Sequence, residues 1–221
     1  MDDVQGRNGH GSESARAETA VGRRQRRLRE ALLAAAERAI AGSGLPGLKA
    51  RDVAREAGCA LGAVYTAFAD LDALVLAVNA RTLDALDAHL RAAAAASRDT
   101  GAEPAARMAA LAEAYLDYAA RHRPRWAALF EHRMAAGREA PTWYSEKQAE
   151  LFRHVEGPVA ALWPGLDGAE ATCLARTLFS AVHGVVSLGL DEKLAPIPAE
   201  TLRRQLRLVA EAMARGLDAR A

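Results

Sequence analysis

The sequence predicts an all-α protein with a small N-terminal domain and a larger helical C-terminal domain. Three observations predict it. The composition is rich in Ala, Leu, Arg and Glu and only 5% aromatic, which favours helix over sheet. Apolar residues recur three and four apart, as in Leu28, Leu32, Ala35 and Ala39, the period of a one-sided helix. Glycine and proline breaks cut these periodic stretches into segments at Gly42-Ser43-Gly44, Pro46-Gly47, Ala57-Gly58-Cys59 and Pro164-Gly165. A length of 221 residues suits one or two domains and a sizeable core.

Residues 1–22 carry Gly, Ser, Asp and Arg with few large apolar groups and are expected to form a disordered tail. Arg23, Arg24, Arg26, Arg27 and Arg29 then place five cations in seven positions. They read either as an arm and helix start reaching DNA phosphates or as a solvated helix entry. The first helix continues to about residue 40. A short helix over 49–56, a turn at 57–59 and a second short helix over 61–68 follow. Val53, Ala54 and Ala57 face inward from the first of the pair, and Val64 and Phe68, four apart, from the second. Gly58 stands where a tight corner asks for positive φ. Two short helices crossed in this way are a device for entering the DNA major groove.

The residues Val53-Ala54, Ala57-Gly58, Gly62, Tyr65, Phe68 and Leu74 fall in register with a known pattern. Over about residues 25–80 the chain resembles the DNA-binding domain of the tetracycline-repressor (TetR) family of bacterial transcription regulators. The resemblance implies a helix-turn-helix domain over 23–70 and a ligand-binding and dimerisation domain over 71–221. It implies DNA contacts from Arg23, Arg24, Arg26, Arg27, Lys49, Ala60, Leu61, Gly62, Ala63, Tyr65 and Thr66. Tyr65 offers its hydroxyl to a phosphate or packs against a neighbouring helix. Leu61, Ala63 and Thr66 suit base edges and thymine methyls. The sequence departs from the pattern at Ala60, where the family has a capping Ser, at Ala67, and at Leu71, where it has a phosphate-contacting Lys. An Ala cap costs about 1 kcal/mol of helix stability. With no Arg or Asn on the recognition helix, direct base readout is expected to be modest and supplemented by DNA shape.

Helices are expected over about 71–96, 105–122, 124–136, 142–162, 169–190 and 199–217, with Ala85 on the inner face of the first, Pro124 opening the third and Pro158 kinking the fourth. The aromatics gather in this domain. Tyr115, Tyr118, His122, Trp126, Phe130, Met134, Phe152, Phe179 and His183 are the candidate lining of an apolar effector pocket, or ordinary core. His183-Gly184 and the Tyr115–Phe130 neighbourhood are similar to the Trp-His-Gly class of the family's C-terminal domains, with Val182 in the Trp position. Leu174, Leu178, Ala181, Val185 and Leu188, then Leu202, Leu206, Val209 and Met213, form two seams suited to coiled-coil-like packing. They read as half of a homodimer's four-helix interface or as packing within one chain.

The net charge of +1 gives no global attraction to polyanions, so binding to double-stranded DNA rests on local charge. Cys59 and Cys173 suggest neither a disulfide framework nor a metal site, and they fit a cytoplasmic setting. No signal peptide is recognisable, no apolar run approaches 18 residues, and no membrane partner is expected. Nucleophile-elbow, phosphate-loop and His-Glu-x-x-His patterns are lacking. His89, His122, His132, His154 and His183 show no metal-ligand spacing. No catalytic residue, metal or cofactor is expected. A haem- or metal-bearing sensor and a dimeric interaction protein with weak DNA binding stay open as alternatives. The reading is a DNA-binding regulator, a repressor that binds a palindromic operator as a dimer and answers to a small apolar effector.

Overall fold

The computed structural model describes residues 20–191 and 197–218, and among these it holds nine α-helices and no strand. The helices are α1 Ala20–Ser43, α2 Ala50–Glu56, α3 Leu61–Ala67, α4 Leu71–Asp99, α5 Pro104–Arg121, α6 Arg123–Glu131, α7 Thr142–Leu162, α8 Gly168–Gly189 and α9 Ala199–Asp218. The expected tail lies outside the described residues except for 20–22, which open α1. The five arginines of 23–29 are therefore helical rather than part of an extended arm. α4 runs three residues past its expected end, to Asp99. α6 stops at Glu131, so Met134 sits in the loop beyond it. Ala85 of α4 points to solvent, and Leu83 and Leu86 take the inner face instead.

The N-terminal core gathers Leu32, Ala36 and Ile40 of α1, Val53 of α2, Val64 of α3, Phe68, and Leu74 and Val78 of α4. Gly58 adopts φ 68° at the corner between α2 and α3, a conformation an L side chain rarely takes. The chain bends by 66° between α3 and α4. Asp70 starts α4 by accepting a hydrogen bond from the Ala73 amide at 2.7 Å. The C-terminal core is centred on α5, with Tyr115, Leu116 and Ala119 packed against Leu86 and Leu90 of α4 and Leu202 and Leu206 of α9.

The α8 and α9 seams correct one expectation. Leu178, Leu202 and Leu206 are buried within this chain, so the α9 seam serves to pack that helix on α5. Outward on α8 lie Cys173, Thr177, Ala181 and Leu188, and on α9 Leu208 and Ala212. α8 is also long and apolar enough to cross a membrane by length and composition, with a mean hydropathy of 1.3 over 18 residues. The interspersed Ala, Gly, Ser and Thr hide this from a search for continuous large apolar residues. α8 packs on α7 and α9, and a Cβ at Gly189 would meet Leu202 at 2.5 Å.

Candidate nucleic-acid interface and effector cavity

α3 presents LGAVYTA, with no charged and no amide side chain. Val64 faces the core, while Leu61 is 40% and Tyr65 51% exposed. Leu61, Gly62, Tyr65 and Thr66 are outward together, Ala63 is half-buried, and a Cβ on Gly62 would meet nothing within 4 Å. That open backbone leaves room for a close approach by a partner. The Thr66 hydroxyl donates to the Gly62 carbonyl at 3.1 Å, so its donor is already engaged. Ala60 caps α3 without a side-chain hydrogen bond. The other end is better held, because Arg29 of α1 donates to the Ala67 carbonyl at 2.6 Å and lies 4.1 Å over the Phe68 ring. A cation at a helix C-terminus is favourably placed against the helix dipole. Lys49, at the start of α2, and Arg23, Arg24, Arg26 and Arg27 of α1 are all exposed.

Two sets of contacts join this reader to the rest of the chain. The first is a polar node around α6. Buried Asn79 of α4 donates to the Ala128 carbonyl at 3.2 Å, Arg125 pairs with Glu37 of α1 at 2.6 Å, and Arg81 of α4 pairs with Glu30 and Glu37. The Tyr118 hydroxyl donates to the Thr82 carbonyl at 3.1 Å. The second is the loop between α6 and α7, which closes on the first turn of α4. Arg138 pairs with Asp70, His132 lies 3.7 Å from Asp72, and the Ala135 amide donates to Asp72 at 3.3 Å. Hydrogen bonds from Arg138 and from the Ala73 amide hold the Asp70 carboxyl below the usual carboxylate range.

Between α4, α5, α6, α7, α8 and α9 lies a cavity of about 120 Å³, bounded by Leu86, Leu111, Tyr115, Phe130, Leu151, Phe152, Phe179 and Met213 among others. Roughly 10–15 Å³ suffices for one water, so the space fits a molecule of several heavy atoms. Tyr115, Gln148 and His154 are the lining residues that carry a polar group, and no Lys or Arg lines it. His154 is held by Asp87 at 2.7 Å. Behind the wall runs a relay of bonded side chains. The Trp126 indole N–H donates to the Tyr115 oxygen at 2.9 Å, and the same hydroxyl shares a 2.8 Å hydrogen bond with His183 Nδ1. Burial pushes the Tyr115 phenol up and the His183 imidazole down, so both stay uncharged near neutral pH.

Of the expected pocket residues, Tyr115, Phe130, Phe152 and Phe179 line the cavity. Trp126 and His183 stand behind it, with His183 packed 4.1 Å from the Phe130 ring. Tyr118 belongs to the polar node, His122 is exposed at the end of α5, and Met134 borders a separate cleft with Phe68, Arg138 and Trp143. The aliphatic half of the wall, from Leu83 to Met213, carries no sequence signature that separates it from core. His132 and His154 pair with Asp72 and Asp87, fifteen positions apart on one helix and so about 22 Å from each other. Among the described residues no group of three His, Cys, Asp or Glu side chains is placed to hold a metal ion.

Comparison with known proteins agrees with this geometry. A family described as bacterial regulatory proteins, tetR family, matches residues 32–78, and one described as tetracyclin repressor-like, C-terminal domain, matches residues 108–213. A solved protein of unknown function from Rhodococcus sp. RHA1 is 28% identical, with 86% of this chain and 95% of that one covered and a TM-score of 0.68. The multidrug binding protein EbrR, solved with imidazole, is 26% identical over 82% of this chain and 93% of its own, with a TM-score of 0.56. A possible TetR family regulator from Streptomyces coelicolor A3(2) shares the fold at 17% identity, 87% and 100% coverage and a TM-score of 0.62. No curated protein matches the sequence. The chain belongs to the tetracycline-repressor family and is a DNA-binding transcriptional regulator, not an enzyme.

Proposed function

We propose that the protein is a repressor that holds a palindromic operator as a homodimer in the cytoplasm and releases it when a small, uncharged, largely apolar molecule enters the cavity. One observation carries the reading: α6, only nine residues long, takes part in both cores. Its Phe130 lines the cavity, and its Ala128 is fully buried in the N-terminal core and bonded to Asn79 of α4. A ligand that displaces Phe130 therefore moves a helix on which α1 and α4 rest. A two-fold dimer then places two copies of α3 about one DNA turn apart, and a tilt of α4 spoils that spacing. The outward faces of α8 and α9, with Ala181 and Leu188 on the first and Leu208 on the second, offer the apolar surface for the second copy. Lys49 and the α1 arginines supply phosphate contacts, and Leu61, Ala63, Tyr65 and Thr66 meet the groove. The absence of a lining cation disfavours carboxylate or phosphate effectors. The multidrug binding protein EbrR supports an apolar, adaptable pocket by analogy.

The test has two stages. Purified protein selects fragments from sheared genomic DNA of its source, and a palindromic motif is the expected product. Uncharged aromatic compounds that raise its melting temperature are then added to the selected duplex. A coupling of about 1–3 kcal/mol gives roughly 5–150-fold release. Equal operator affinity with saturating ligand and without it would sink the ligand-responsive reading.

A further inference from the structure

The reader is poor in charge of its own. Over residues 49–72 three Lys or Arg stand against four Asp or Glu. Arg55 is taken by Asp52 at 2.8 Å, and Glu56 by Arg38 of α1. Asp70 and Asp72 remain, in the turn that leaves the recognition helix. Asp70 is three residues beyond Ala67, the last of α3, and three residues span at most about 11 Å of chain. That is close to one Debye length at physiological salt. A recognition helix in the major groove runs between two rows of phosphates, so two bare carboxylates there repel the partner.

The groups that meet these carboxylates come from the other domain. Arg138 reaches Asp70 and comes within 3.9 Å of Asp72, His132 is 3.7 Å from Asp72, and the Ala135 amide donates to the same carboxylate. All three sit on the loop between α6 and α7, the two helices that bring Phe130 and Phe152 to the cavity. Arg138 is itself half exposed, with 51% of its side chain open. An ion pair so open to solvent contributes little to folding, so its effect falls mainly on the field seen by a charged partner.

We propose that the α6–α7 loop is an electrostatic cover: Arg138, with the Ala135 amide, offsets Asp70 and Asp72 so that the reader can approach DNA. Lifting the loop uncovers two negative charges beside the phosphates. The effector domain then controls the reader's charge as well as its angle. Arg138 is a positioning residue that acts through the two acids.

Binding of the full-length chain to a random-sequence fluorescent duplex, followed by anisotropy at several salt concentrations, tests this without an operator or an effector. Arg138→Ala is expected to weaken binding about three- to tenfold, most at low salt. Adding Asp70→Asn and Asp72→Asn to that variant is expected to restore wild-type affinity or better, and Asn keeps the α4 cap. A loop that merely props α4 in place would not be rescued by removing its own anchor points. In the otherwise unchanged chain, Asp70→Asn with Asp72→Asn is expected to tighten binding about threefold or more and leave Arg138 as an added cation. This last pair keeps the idea testable even if Arg138→Ala fails to fold. Unchanged affinity in Arg138→Ala, failure of the triple variant to recover, or no gain in the double Asn variant would each overturn the proposal. Loss of DNA binding by every form, wild type included, would instead count against the regulator reading.

Discussion

The reader and the cavity are built on opposite plans. In the reader, two seven-residue helices carry few polar ties: α3 has no side-chain cap, Thr66 bonds its own backbone, and Arg29 of α1 holds the far end at the Ala67 carbonyl. The cavity wall is backed by a chain of bonded side chains, Trp126 to Tyr115 to His183, beneath edge-on and tilted aromatic rings. The contrast teaches where each region gets its definition. The reader takes its shape from a few buried contacts on α1 and α4 and leaves its outer face bare for a partner. The cavity holds its shape with its own network of bonded side chains.

That contrast can be broken from the cavity side first. Trp126→Ala removes a buried ring and strands the Tyr115 oxygen, and is expected to destabilise the fold by about 3–5 kcal/mol in urea unfolding. A loss under about 1 kcal/mol would mean that the relay is incidental. Asn79→Ala cuts the tie between α4 and α6 and leaves the Ala128 carbonyl without that partner; about 1–3 kcal/mol is expected, read from the same curves. On the reader side the effect is smaller and of opposite sign. Ala60→Ser supplies the missing cap of α3 and is expected to stabilise by about 1 kcal/mol, visible as slower amide exchange at the start of that helix.

Acid should also act on the cavity before the reader. Burial lowers the His183 pKa below its unfolded value of 6.5, so below that pH the unfolded chain binds the extra proton more readily than the folded one. The contribution is present in full above pH 6.5 and is lost as pH falls toward the folded value. Unfolding curves between pH 7.5 and about pH 5 should therefore show falling stability, less steep in His183→Gln. A wild type and variant of equal slope would remove His183 from the account.

The N-terminal half was readable because its signals are local. The spacing Ala57-Gly58, Gly62, Tyr65, Phe68 fixes a corner and one buried face, and Gly58 takes the positive φ that its place requires. Helix boundaries in the second domain were within a few residues because Gly and Pro mark them. The cavity was half legible. Aromatic positions at helical spacing pointed to its region, yet Tyr118 and Trp126 read the same whether they line a space or sit behind one. Its aliphatic wall is indistinguishable in sequence from core, since a cavity depends on how six helices are spaced. The α9 seam misled for a related reason: Leu202 and Leu206 have the period of any packed helix, and the period is silent on whether α5 or a second copy is the neighbour. The contacts of Arg138 and His132 with the start of α4 span 60 to 68 residues of chain, and no local pattern announces them.

The plainness of α3 has one more consequence. A helix that offers Leu, Ala, Thr and an open Gly to the groove floor reads surface relief more than donor and acceptor code, and the relief it fits best is the thymine methyl. Cytosine acquires the same bump when its C5 is methylated, and uracil lacks it. On the proposed reading of the groove contacts, binding would depend on the C5 substituents of the site as well as on its base sequence.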